Sequence, residues 1–257
     1  NGSYRCAQEY DIGMLDGWRA VSILAVLAGH WLPLGPGRWG LNGVSAASGM
    51  ALFFSLSGFL ICRLMLADPR PGPFLVRRLA RIVPLAWLAM LILAVATRAD
   101  GPTLAANLLF TANLPPAHLM TGGEHLWSLC VEMQFYLAVA AIVALAGRRG
   151  LLLLPVLAIA VTVARVVADQ PISIITWHRV DEILAGCIAA LIVQRIAPGA
   201  AGAPRGRTWA ALPVVLLLAL LASAHPATGA LQYLRPYFAA GTVLSSLYAA
   251  PALMRRV

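Results

Sequence analysis

Residues 46–66 read AASGMALFFSLSGFLICRLML, a stretch with a single charged residue, Arg63. As an α-helix rising about 1.5 Å per residue, it is long enough to cross about 30 Å of hydrocarbon. Seven further apolar blocks follow the same pattern, so that spans fall at about 15–34, 46–66, 81–97, 125–146, 150–167, 179–196, 208–224 and 235–253. The 257 residues are 60% hydrophobic and 11% charged, with a mean hydropathy of +0.80. A soluble domain carries about a quarter charged residues. The pattern predicts an all-α, multi-pass transmembrane helix bundle of about eight spans, forming a single domain over 1–257.

The basic residues, all arginine, orient that bundle. With a cytoplasmic N-terminus, the inner side holds Arg5, Arg19, Arg63, Arg70, Arg77, Arg78, Arg81, Arg148, Arg149, Arg195, Arg205, Arg207, Arg255 and Arg256. The outer side holds Arg38, Arg98, Arg165, Arg179 and Arg235. Arginines gather on the cytoplasmic side of membrane proteins, so this orientation is the expected one. The net charge of +9 is then a matter of topology, and nucleic acid is not an expected partner. No signal peptide is read in the polar opening NGSYRCAQEYD. Cys6, Cys62, Cys130 and Cys187 form no CxxC pair and read as small buried residues. The loop 198–207 reads as a flexible turn. In 97–124, the LAANLLF piece is too short to span; it is expected to lie at the interface or re-enter, ended by Pro115 and Pro116.

Polar groups inside the spans carry the functional signal, because charge in hydrocarbon is costly. Arg19 and His30 are eleven residues apart, which puts them on one helix face about 16.5 Å apart along the axis. Ser22, Val26 and Gly29 lie near the same stripe, and the small ones leave room beside it. Arg19 reads either as a snorkelling arginine paired with Asp16 or as a functional cation. His30 reads either as a structural histidine bonded to a neighbouring helix or as a reactive one. In the fourth span His125, Ser128, Glu132 and Tyr136 share a face, with Glu132 at a depth close to that of His30. A buried carboxylate and a histidine at one level are expected to pair, either as a helix-to-helix hydrogen bond or as a catalytic site.

Two polar clusters flank these groups. Arg77, Arg78 and Arg81 at the inner start of the third span can form a fork for phosphate or serve topology alone. His178, Arg179, Asp181 and Glu182 open the sixth span at the outer side, as an acceptor-binding mouth or a self-paired surface cluster. SLSGF is no GxSxG elbow, and neither HExxH nor paired cysteines are present, so no metal is expected. His118 and His225 lie in loops with no partner at ligand spacing.

Taken together, LDGWRAVSILAVLAGH, FFSLSGFLI, RRLARIVPLAWL, HLWSLCVEMQFYL and HRVDEILAG resemble, in order, five motifs of the acyltransferase-3 family of integral membrane acyltransferases. The resemblance covers about 170 residues. The family's arginine-x-x-arginine pair falls on Arg78 and Arg81. Its tryptophan-serine-leucine-x-x-glutamate block falls on Trp127, Ser128, Leu129 and Glu132, and its arginine-x-aspartate segment on Arg179 and Asp181. An acidic residue often found before the FF pair is Ala51 here, and a glutamate often following Glu132 is Met133. Family members usually have about ten spans, so the last two helices are expected to be missing.

The resemblance implies transfer of an acyl group, most often acetyl, from cytoplasmic acyl-CoA to a hydroxyl of a glycan or lipid-linked saccharide, in a bacterial inner membrane. His30, Glu132 and Arg19 are the expected catalytic residues, with His30 as general base, or briefly as acyl carrier, and Glu132 fixing its tautomer. Arg77, Arg78, Arg81 and Ser22 are expected to meet the donor; Ser128, Arg179, Asp181 and Tyr136 are expected to meet the acceptor. A transporter or lipid-binding protein using the same pair as a proton relay is the alternative, as is an inactive relic of the family.

Overall fold

The structure, a computed structural model, describes the backbone of residues 2–195 and 207–254 and the side chains of 13–195 and 211–248. The side chains of Arg5, Cys6, Arg205, Arg207, Arg255 and Arg256, most of the 198–207 loop and the last three residues lie outside this description. Every regular element among the described residues is helical. The α-helices are α1 (Gly2–Trp31), α2 (Leu41–Ala67), α3 (Pro71–Thr97), α4 (Gly101–Leu108), α5 (Trp127–Ala146), α6 (Leu154–Val167), α7 (Asp181–Arg195), α8 (Arg207–Ser223) and α9 (Arg235–Met254). Each expected span has its helix, and α4 is the additional short one. Three runs are long and apolar enough to cross a membrane: Leu41–Ala67, Pro71–Thr97 and Glu124–Val167. Ala211–Ser223 is a shorter apolar helix. The chain is a helical membrane protein.

It divides into two compact units, Asn1–Arg63 with Asp181–Val257, and Leu64–Val180. In the first, α2 is apolar all round and buries Phe54, Leu56, Phe59 and Ile61, as a helix without a polar face must. Small residues and backbone-directed hydrogen bonds bring its neighbours close, which is how helices associate where no hydrophobic drive separates them from lipid. Asn42 Nδ2 donates to the Gly29 and Leu32 carbonyls at 2.9 and 2.6 Å, and Ser45 Oγ to Ala25 O at 2.7 Å. On its other side Ser55 Oγ donates to Glu182 O at 3.1 Å and Cys187 Sγ to Gly58 O at 3.3 Å. A Cβ on Gly58 would run into the Ile183 carbonyl, and one on Gly186 into the Ser55 carbonyl. Since both obstacles are backbone, Gly186→Ala is expected to cost on the order of 3 kcal/mol, read as a lowered unfolding midpoint in detergent. An unchanged midpoint would remove this contact from the account. Trp18 Nε1 ties α1 to α9 through Ser246 Oγ at 3.1 Å.

In the second unit α3 turns most of its surface outward, with Leu85, Leu88, Ile92 and Val95 exposed. Only 17% of its apolar window is buried within the chain. Exposed apolar side chains at this density suit contact with lipid. Asp100 caps α4, accepting from Thr103 N at 3.1 Å. The chain then folds back along α3: Trp87 Nε1, ten residues before the end of α3, donates to Leu108 O at 3.0 Å. The LAANLLF segment therefore packs beside α3. The prolines do not end it. The helix stops at Leu108, where Phe110 takes a left-handed φ of 56° and its amide reaches back to Asn107 O at 2.9 Å. Cys62, Cys130 and Cys187 are buried free thiols.

Candidate active site

A column of polar side chains runs along α5 in the second unit. Ser128, Glu132 and Tyr136 recur every four residues, so they share one face. Glu132 and Tyr136 are buried and Ser128 is half-buried, its Oγ donating to His125 O at 3.0 Å. An arginine sits over an aromatic ring at each end. The Arg179 guanidinium carbon lies 5.3 Å from the Trp127 ring centroid, and that of Arg78 lies 6.0 Å from the Tyr136 ring centroid. Both distances are within cation–π reach. Phe74 packs edge-on against Tyr136 at 6.0 Å between centroids. Trp127 and Tyr136 are about 13.5 Å apart along the helix axis, with Glu132 between them.

Arg77, Arg78 and Arg81 do not share one environment. Arg78 turns toward α5, whereas Arg77 and Arg81 are exposed. Asp68 draws on the outward group: it is bound bidentately by Arg70 at 2.7 and 2.8 Å, and its other neighbour is Arg77 at 4.0 Å. The hydrogen bond from Arg70 holds the Asp68 carboxyl below its usual range.

Arg179 is placed by a network that the sequence reading did not include. Buried Asn113 donates through Nδ2 to Ile174 O at 2.9 Å and to Thr176 Oγ1 at 2.8 Å. Gln134 Nε2 donates to Asn113 Oδ1 at 2.9 Å and Phe110 O at 2.7 Å, and Thr176 Oγ1 donates to Gln134 Oε1. The Arg179 amide in turn donates to Thr176 O at 3.1 Å. Fully buried Arg165, in the last turn of α6, donates to the carbonyls of Gln170 and Pro171 and fixes the loop that follows. The signal in the sequence is slight: one uncharged Gln134 inside an apolar span and one asparagine in a loop.

The first unit holds the remaining candidates. His30, in the last turn of α1, is exposed, and its Nδ1 lies 2.8 Å from Val26 O. A carbonyl only accepts, so Nδ1 carries the hydrogen, and in the neutral ring the lone pair is then on Nε2. That bond fixes the ring against its own helix. Arg19 is half-buried with Asp16 at 3.8 Å, and buried Ser22 turns its hydroxyl onto Arg19 O at 2.7 Å. The expected room along the Ser22–Gly29 stripe is filled by α2. A Cβ on Gly49 would meet Ser22 O, and one on Gly29 would meet Asn42 O.

The cluster at the start of α7 is no surface feature. Asp181 and Glu182 are fully buried, and Glu182 Oε1 accepts from Arg235 Nε at 3.1 Å, with both side chains excluded from solvent. In the sequence Arg235 is only a charge at the edge of an apolar block; its partner lies fifty-three positions away.

The acyltransferase-3 model, described as an acyltransferase domain, matches residues 12–256. The chain belongs to the acyltransferase-3 family. Its acyltransferase domain is also similar to the peptidoglycan O-acetyltransferase OatA of Listeria monocytogenes serovar 1/2a, at 26% identity over 157 residues. That match covers 52% of this chain and 24% of the relative, so the chain spans about a quarter of the length of the curated relative it matches. No solved structure matches the chain.

Proposed function

We propose that this acyltransferase domain moves an acyl group, acetyl in the simplest case, from acyl-CoA to a hydroxyl of a glycan or lipid-linked saccharide. The observation that carries the reading is the α5 column, with a buried carboxylate between two arginine–aromatic pairs. The similarity to a peptidoglycan O-acetyltransferase supports a glycan acceptor. Eight crossings with a cytoplasmic N-terminus belong to the same proposal and rest on the arginine bias. The protein would then sit in the bacterial inner membrane, with the donor entering from the cytoplasm.

His30 Nε2 takes the proton from the acceptor hydroxyl. The acceptor oxygen bonds to the thioester carbonyl carbon, the carbon–sulfur bond breaks, and the departing thiolate takes the proton back from the imidazolium. Glu132 is the proposed second catalytic group of the same reaction. Arg78 and Arg81, with Arg77 and Arg19, supply cations for the donor phosphates. Arg179 and Trp127 offer a charged edge and an apolar face to a sugar, with Ser128, Tyr136 and Asp181 as further contacts. Ser22 acts through the position it gives Arg19.

The test supplies acyl-CoA labelled in the acyl group to membranes containing the chain. Alkali-labile label on saccharide is expected. With Arg78→Ala, the acyl-CoA concentration for half-maximal rate is expected to rise about tenfold, as for loss of a charge-assisted contact. An unaltered donor dependence removes Arg78 from the donor site. Movement of a solute with the thioester left intact contradicts the transferase reading.

A further inference from the structure

The second unit carries an open cavity of about 490 Å³, outside the α5 column, between α3, the turn after α4 and an adjacent face of α5. Ala80, Pro84 and Trp87 form one wall, and Phe110, Met133 and Leu137 lie opposite. Pro84 explains the dent: it has no N–H for the carbonyl four residues back, and small Ala80 lies one turn below it. Its volume falls within the range of about 300–1,000 Å³ common for small-ligand sites. The lining is apolar, and it opens on the outward face of α3, where Leu85 and Leu88 are exposed.

Arg77 stands three residues before Ala80, which stands four before Pro84 and seven before Trp87, so all lie on one helix face. From Arg77 to Trp87 the helix rises about 15 Å, half of a bilayer's hydrocarbon thickness of about 30 Å. Exposed Arg81 adds a second cation one turn above Arg77. Between 68 and 81 four arginines (Arg70, Arg77, Arg78, Arg81) face one acid (Asp68), a local charge of 4 − 1 = +3. The groove thus has a cationic mouth at one end and an apolar floor one lipid leaflet deep.

We propose that this groove holds an anionic phospholipid, its phosphate at Arg77 and Arg81 and one acyl chain along Ala80, Pro84 and Trp87. The site shares Arg77 and Arg81 with the proposed donor contacts, but it needs no transfer chemistry and is read by lipid binding alone, so its failure is distinguishable from failure of the proposed reaction. Binding of phosphatidylglycerol and phosphatidylcholine to the full chain in detergent is read by native mass spectrometry. One phosphatidylglycerol is expected to bind about tenfold more tightly than phosphatidylcholine. Ala80→Trp fills the groove from a position already exposed, and Leu137→Trp does so from the opposite wall; each is expected to abolish that one tight site. Arg77→Ala with Arg81→Ala is expected to equalise the two lipids. Retention of the tight site in both tryptophan variants overturns the proposal. So does equal affinity of wild type for both lipids, or full displacement of phosphatidylglycerol by glycerol phosphate, which has no chain to fill the groove.

Discussion

Replacing His30 with alanine is expected to lower acyl transfer by about 10² to 10⁴-fold, the usual contribution of a positioned general base. The fold is expected to survive, because the ring is exposed and its one polar contact is to the carbonyl of Val26 in its own helix. In the neutral ring that contact makes Nε2 the nitrogen able to accept a proton. Glu132→Gln removes a charge and keeps the shape, so it tests the carboxylate without opening a cavity. If both residues serve one step, the double variant is scarcely slower than the slower single variant, since groups acting as a unit are not additive. Rates that multiply place the two in separate steps. Full activity of His30→Ala at normal expression removes the base.

The second large effect is on stability. Arg235→Met or Glu182→Gln removes one side of the buried Arg235–Glu182 ion pair. Breaking a buried pair costs about 3–5 kcal/mol. Each single variant is therefore expected to lose most of its folded yield and to unfold at lower denaturant. Glu182→Met with Arg235→Met is expected to recover much of the loss, because well-packed apolar residues replace buried ion pairs at little cost. A double variant no better than either single one assigns the pair a task beyond holding α7 to α9.

These two cases show what the sequence could carry. The all-helical class and the places of the long apolar helices were legible, because a run of about twenty apolar residues is a local pattern. The α5 face was legible for the same reason: Ser128, Glu132 and Tyr136 repeat at helical spacing. Pairings across the chain were not. Glu182 finds Arg235, and Asn113 finds Thr176, only through the packing of distant helices. Periodicity also misjudged room. The small residues of α1 look like space for a ligand, yet they admit α2, because small side chains are what close helix packing requires. The arginine cluster divided for a geometric reason. Arg77 and Arg78 are neighbours in sequence but point about 100° apart, so one reaches Tyr136 while the other stays exposed near Asp68.

The central claim is transfer from a donor on one side of the membrane to a hydroxyl on the other. Sealed vesicles of known orientation containing the chain test it, with labelled acyl-CoA added on one face and a saccharide acceptor confined to the other. The account predicts alkali-labile label on the saccharide only when the donor is on the cytoplasmic face, with one free CoA thiol released per ester formed. Ester formation that ignores orientation contradicts the topology, and an intact thioester with no ester on the acceptor contradicts the transferase itself.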